Sequence, residues 1–208
     1  EDAALAVVVL GLVLAVRGER RAGLLTAAAA AGWVLLATRV VIPAAGGGDG
    51  PFYQELFPGF GDSLGEVVWN MVAHPSRLIE LATLPDRLTY YWQLLAPVAF
   101  LPLAAPLVLL IGAPQTVVNV TSGHALTHDF RFHYTAIVLA AVFLATVEGI
   151  AWAGRGRLAA RLLVALLLAA SLAANLAWSP SPLGRQYDSG IWARPEPRHA
   201  AVKAALRQ

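Results

Sequence analysis

The sequence predicts an all-α fold, a polytopic transmembrane helical bundle of about six spans. Hydrophobic residues make up 58% of the 208-residue chain and charged residues only 13%, where a soluble domain carries roughly 25% charged. The apolar residues fall in long runs, as a bilayer requires of segments that must satisfy their own backbone polar groups. The two shortest basic loops are Arg17–Arg21 and Arg155–Arg157, with Arg161 just beyond. The positive-inside tendency places both on the cytoplasmic side, so the chain between them crosses an even number of times.

The first span, residues 3–16, ends at Arg17-Gly-Glu-Arg-Arg21, and the second, residues 22–44, closes at Pro43 and the glycines 46–48. Asp49–Asp86 is a long outer connection in which Leu64, Val67, Val68, Met71 and Val72 recur at helical spacing, predicting one or two short interfacial helices. Leu88–Val120 is too long for one span and is broken by Pro97, Pro102, Pro106 and Pro114. Two spans, residues 88–101 and 104–120, with a tight turn near Leu101–Pro106 fit it, because proline is tolerated at helix starts and turns. Residues 134–153 and 158–178 complete the transmembrane domain, residues 1–178. Residues 179–208 form a polar, proline-rich extracytoplasmic tail. Glu1 opens the chain, Met71 is the only methionine, and the tail breaks off in a helical pattern, so the sequence reads as an internal piece of a longer chain.

The formal net charge of +2 and the scattered basic residues suggest no nucleic-acid groove. Without cysteine, disulfides and thiolate metal sites are excluded. No P-loop, dinucleotide glycine motif, serine elbow or metalloprotease helix is present. Arginine outnumbers lysine fourteen to one, as in a GC-rich bacterial genome, where the acceptor pattern Asn119-Val-Thr121 would mean little. The six tryptophans fall mostly near predicted span ends, as an aromatic belt does.

The even crossing number puts Glu1, Asp2, Asp62, Glu66, His74, Arg77, Asp86, Arg87 and the Thr121–His133 loop on the outer face. Densest is Ser122-Gly-His124-Ala-Leu-Thr-His128-Asp129-Phe-Arg131-Phe-His133-Tyr134. Its histidines match no metal-ligand spacing. Arg131 offers a planar fork of donors suited to an anionic headgroup. The cluster reads equally as a phosphate site and as a solvated interfacial loop. Arg39 lies within the second span, near enough to its end to snorkel, although a cation in a span is often functional. Glu148, near the cytoplasmic end of its span, reads as snorkelling or paired with Arg155. The mid-span positions read as almost wholly apolar, which argues against a channel or proton pump.

Several segments together resemble the bacterial predicted membrane proteins called domain of unknown function 2079: Glu1-Asp-Ala-Ala-Leu5, Arg39-Val-Val-Ile-Pro43, His74-Pro-Ser, Leu94-Leu-Ala-Pro97-Val-Ala-Phe-Leu-Pro102-Leu-Ala-Ala-Pro106, Ala113-Pro-Gln-Thr-Val-Val-Asn119 and Phe132-His-Tyr134-Thr-Ala. That family is grouped with the GT-C glycosyltransferases, which take a sugar from a polyprenyl-phosphate donor at the outer side of the membrane. The resemblance implies the C-terminal half of a GT-C-like fold, embedded in membrane lipids and completed by transmembrane spans before residue 1. It implies a carboxylate, acting as base or as ligand to a divalent metal ion, in a loop preceding this chain. Arg39, Arg131 and His133 would then hold the lipid phosphate, His124, His128 and Tyr134 would face substrate, and Glu1 and Asp2 would be supporting carboxylates. A transporter or flippase of a lipid-linked or anionic solute, or a non-catalytic scaffold, are the alternatives.

Overall fold

A computed structural model describes residues 2–45, 50–179 and 181–185, and the described residues form helices and no strand. Helix α1, Asp2–Val16, ends where Gly18 takes a φ of 108°. The Glu19 N–H reaches back to the Leu14 carbonyl at 3.0 Å, the six-to-one bond of a glycine C-cap. The chain reverses there into α2, Arg20–Ala44.

Small residues hold this hairpin together. A Cβ on Gly11 would lie 2.5 Å from the Ala27 nitrogen and 2.6 Å from the Gly23 carbonyl. With Ala15 and Ala27 they form the small-xxx-small seam by which membrane helices approach backbone to backbone. Further along α2, residues Ala37–Val41 widen to a π turn, the Ile42 N–H bonding to the Ala37 carbonyl. Pro43 explains it: proline donates no hydrogen bond to the carbonyl of Arg39 and its ring crowds that carbonyl.

Three short helices follow: α3, Gly50–Leu56, α4, Leu64–Ala73, and α5, Pro75–Ala82. The helical spacing read in the sequence is α4. Ser63 caps it by accepting the Glu66 N–H, while the Glu66 carboxylate accepts the Asp62 N–H at 2.9 Å. These helices pack around buried Phe57, Phe60 and Val67. Arg77 fixes the intervening turn, its guanidinium 4.9 Å from the Phe60 ring centre and donating to the Gly59 carbonyl at 2.7 Å.

Helix α6, Pro85–Leu95, breaks into a 3-10 turn, Ala96–Val98. Ala99 and Phe100 are both left-handed, and a second 3-10 turn, Leu101–Ala104, leads into α7, Pro106–Thr121. The reversal is therefore at Ala99-Phe100, just before the turn expected near Leu101–Pro106, and no continuous helix covers residues 88–101. Pro97 and Pro102 each sit in the first positions of a short 3-10 turn, so the chain changes direction sooner than hydropathy suggests. The broken segment packs on α8, His133–Ala153. Gly149 makes room for it, because a Cβ there would collide with the Leu101 carbonyl.

Helix α9, Arg157–Trp178, has no buried residue and touches the bundle mainly at the 3-10 turn, where Ser171 donates to the Pro97 carbonyl at 2.7 Å. Among the described residues α2, α8 and α9 are long and apolar enough to cross a membrane, while α1 and α7 are apolar but shorter. Their bounds lie within two residues of the expected spans.

Arg17 forms an ion pair with Glu148, which brings the first basic turn to the end of α8 that carries Arg155. Glu148, which the sequence reads as snorkelling or paired with Arg155, meets Arg17 instead, because the reversal of α1 at Gly18 presents that side chain to it. Both side chains are 39% exposed, so the pair contributes little. Arg17→Ala, Glu148→Gln and the double variant should each unfold within about 1 kcal/mol of wild type. A coupling above about 2 kcal/mol in that cycle would refute this.

Candidate site at the polar end

The opposite end of the bundle is built from three segments far apart in sequence: α3 and the turn after it, the start of α6, and residues 122–135. The Gly123 N–H bonds to the Leu56 carbonyl at 2.9 Å, and a Cβ at Gly123 would meet Pro58 at 2.8 Å. Pro85 opens α6 and leaves Asp86 and Arg87 in its first turn. There Arg87 pairs with Asp86 and donates to the carbonyls of Val120 and Ser122, each at 3.2 Å. Asp86 also meets the Nε2 of His128 at 3.0 Å. His128 is buried, while Asp86 remains half-exposed. The structure thus brings a carboxylate, a guanidinium and an imidazole together where the histidine-rich loop docks.

Arg131 is occupied. Its guanidinium grips the Asp129 carboxylate, Nε to Oδ1 at 2.9 Å and Nη2 to Oδ2 at 2.6 Å. That contact holds the Asp129 carboxyl below its usual range and raises Arg131. His133 is exposed and stacks on Tyr134 with ring centres 4.2 Å apart; His124 is exposed as well. Arg39 is exposed on the π turn of α2, and no hydrogen bond or ion pair joins it to the histidine loop among the described residues. Glu1 lies outside the described residues, as do 186–208 of the tail, and only the backbone of Asp2 is described. Among the described residues no three His, Asp or Glu side chains gather as a metal site, so the described residues do not form the cage that a divalent ion would need.

Beneath the loop lies a polar network that hydropathy did not reveal. Asn119, fully buried, donates to the Tyr90 hydroxyl at 2.9 Å and to the Tyr134 carbonyl at 3.1 Å. Gln115 donates to the Asn119 side-chain oxygen at 2.8 Å, leaving its own Oε1 unpartnered. The interior of α7 is therefore not wholly apolar, and burial removes Asn119 as a glycosylation acceptor. Asp86 and Arg87 were visible only as outer-face charges; their place in the first turn after Pro85 was the available signal that they are held in fixed geometry.

On another face of α7 a groove of about 410 Å³ runs between α5, α6, α7 and α8. Its lining is almost wholly apolar, from Leu78 and Ala82 through Tyr91 and Leu94 to Val117 and Val142. It reaches Thr121, next to the Ser122 carbonyl held by Arg87.

Docking of the loop should fail in acid. Burial works to raise the Asp86 carboxyl, but the neighbouring Arg87 guanidinium and His128 outweigh it, so Asp86, like Asp129, titrates below its ordinary value. A carboxyl lowered in the folded state contributes stability above the unfolded pKa of about 3.9 and loses it as pH falls through the folded value. Because the chain has no cysteine, a nitroxide on Leu126→Cys reports on this loop alone. It should be immobile at about pH 5 and lose that immobility only as the pH falls below the unfolded value of about 3.9; a spectrum unchanged throughout the acid titration would contradict the assignment.

A family profile described as "Predicted membrane protein (DUF2079)" matches residues 1–194. No curated protein and no solved structure matches the chain.

Proposed function

Because this chain belongs to the DUF2079 family of predicted membrane proteins, we propose that it is a GT-C-type glycosyltransferase using a polyprenyl-phosphate-linked sugar at the outer face of the bacterial cytoplasmic membrane. In this reading α1, α2, α6, α7, α8 and α9 make six crossings, with α6 and its broken turns as the third. The basic turns face the cytoplasm, and the polar end and the tail face outward. The supporting observation is the polar end itself: Asp86, Arg87 and His128 are held together from segments more than thirty residues apart.

Transfer from such a donor breaks the bond between the anomeric carbon and the phosphate oxygen and forms one to an acceptor hydroxyl. A base must take the hydroxyl proton and cations must hold the departing phosphate. Arg39, Arg131 and His133 are the cations of this reading, and Arg131 must exchange Asp129 for the phosphate as it engages. Asp86, half-exposed at the polar end, is a carboxylate of this reading, with Glu1 and Asp2 as supporting ones. His124, His128 and Tyr134 would face the sugar or the acceptor.

The test uses the full-length protein in liposomes with a panel of radiolabelled polyprenyl-phosphate sugars. Saturable binding that is lost in Arg131→Ala/His133→Ala is the expected result. Binding retained in that variant would move the phosphate site, and binding of no donor would end the transferase reading. One observation favours a transporter instead: discontinuous helices and buried polar side chains such as Gln115 and Asn119 line solute sites in secondary transporters. Uptake of the same donors into sealed vesicles, without sugar transfer, would select it.

A further inference from the structure

The chain leaves α6 and its 3-10 turn through a cap of the kind that glycine normally makes. The Phe100 N–H bonds to the Leu95 carbonyl and the Ala99 N–H to the Ala96 carbonyl, both at 3.0 Å, the paired bonds that end a helix at a left-handed residue. Glycine adopts that conformation without penalty. Here Ala99 and Phe100 take φ of 51° and 57°, which presses each Cβ toward the following carbonyl. Strain of this kind persists only where the surroundings impose it, and it gathers at switch regions. The imposing contacts are all at the break. Ser171 of α9 donates to the Pro97 carbonyl at 2.7 Å, the Leu101 carbonyl sits in the space left by Gly149 of α8, and the Phe100 and Trp92 ring centres are 5.2 Å apart. Beyond the break α6 is lightly held: of its eleven residues only Tyr90 and Leu94 are buried, and Leu88 and Trp92 are exposed. Its outer half is fastened by polar contacts, Tyr90 to Asn119, Arg87 to the Val120 and Ser122 carbonyls, and Asp86 to His128. Tyr91, Leu94 and Leu95 on the same helix form one wall of the apolar groove.

We propose that α6 is a hinged wall, swinging about Ala99 and Phe100 between the latched form described above and an open form. In the open form Tyr90, Arg87 and Asp86 part from their partners and the groove widens. Opening relaxes the two left-handed residues and breaks the polar latches, so the strained hinge and the latches oppose one another across one short helix. The clamp from α9 keeps the hinge bent. Because Asp86 and Arg87 ride on the moving wall, a widened groove and an assembled polar end exclude one another. The device is independent of the chemistry that the polar end performs, since it depends only on the hinge, the latches and the cavity between them.

The experiment measures distances between nitroxides by pulsed dipolar spectroscopy, in nanodiscs of the full-length protein. One label pair, Leu88→Cys with Phe143→Cys, joins exposed positions on α6 and α8; the control pair, Leu12→Cys with Phe143→Cys, joins exposed positions on α1 and α8. Wild type should give a single distance for the α6 pair. Tyr90→Phe/Arg87→Gln, which releases two latches, should add a second, longer distance, and Ser171→Ala in that background should raise its share. Adding Ala99→Gly instead should lower the ratio of long to short at least about fivefold, because glycine removes the strain of the latched form. A single short distance in the unlatched variant would overturn the proposal. So would a ratio that Ala99→Gly leaves unchanged or raises. A change in the control pair would mean that the bundle loosens as a whole, and would overturn the hinge as well.

Discussion

Gly23→Leu should separate α1 from α2 and lower the unfolding free energy by about 3 kcal/mol or more, beyond the usual cost of overpacking. Even a Cβ at Gly23 would collide with the Ala15 nitrogen and the Gly11 carbonyl, and those are backbone atoms that no rotamer change can move. In lipid the two helices gain nothing from hiding apolar surface, so contact between backbones is what joins them. A leucine at Gly32, where a Cβ would meet nothing within 4 Å, is the matched control and should cost little. The check is reversible unfolding in mixed micelles, together with proximity labelling between Leu12 and Leu24. Wild-type stability in Gly23→Leu would mean that the seam at Gly11, Ala15, Gly23 and Ala27 does not hold the hairpin.

Asn119→Leu carries the second large effect. It removes three hydrogen bonds at once, from Gln115, to the Tyr90 hydroxyl and to the Tyr134 carbonyl. Each buried partner left unmet costs about 1–3 kcal/mol, so a total loss of about 3 kcal/mol is expected. Tyr90→Phe deletes a single partner and should cost about 1 kcal/mol. In the double variant the costs should not add, since both act through one contact. Additive losses would show that Tyr90 and Asn119 are energetically independent despite the 2.9 Å between them.

What was legible in the sequence is what depends on runs of like residues. The helices α2, α8 and α9 are long stretches of Ala, Leu and Val, and the sequence placed their ends to within two residues. Helix α6 was less legible because Asp86, Arg87, Thr89 and Gln93 dilute its apolar face, and its break depends on two left-handed residues, Ala99 and Phe100, that carry no glycine signal. Side-chain partners were the least legible. The histidine loop could be marked as dense in charge, but not that Arg131 would turn back on Asp129, two residues away. The pairs Arg17–Glu148, Asp86–His128 and Tyr90–Asn119 join residues 131, 42 and 29 positions apart, and composition has no means of specifying such pairs.

The stapling of the polar end by Leu56, Asp86 and Arg87 onto residues 120–128 has a consequence for the order of assembly. As the chain emerges and inserts, the first two staple segments arrive early and the third arrives only after α7. Until then Arg87 lacks the Ser122 carbonyl and Asp86 lacks its imidazole, so neither contact can hold the α3–α5 helices in register with α6. The polar end should therefore close late, in one cooperative step, once α8 follows and anchors the loop from its other side. A chain stopped before residue 122 would keep the α1–α2 hairpin but leave the charged turn of α6 open, exposed to quality-control proteases at that point.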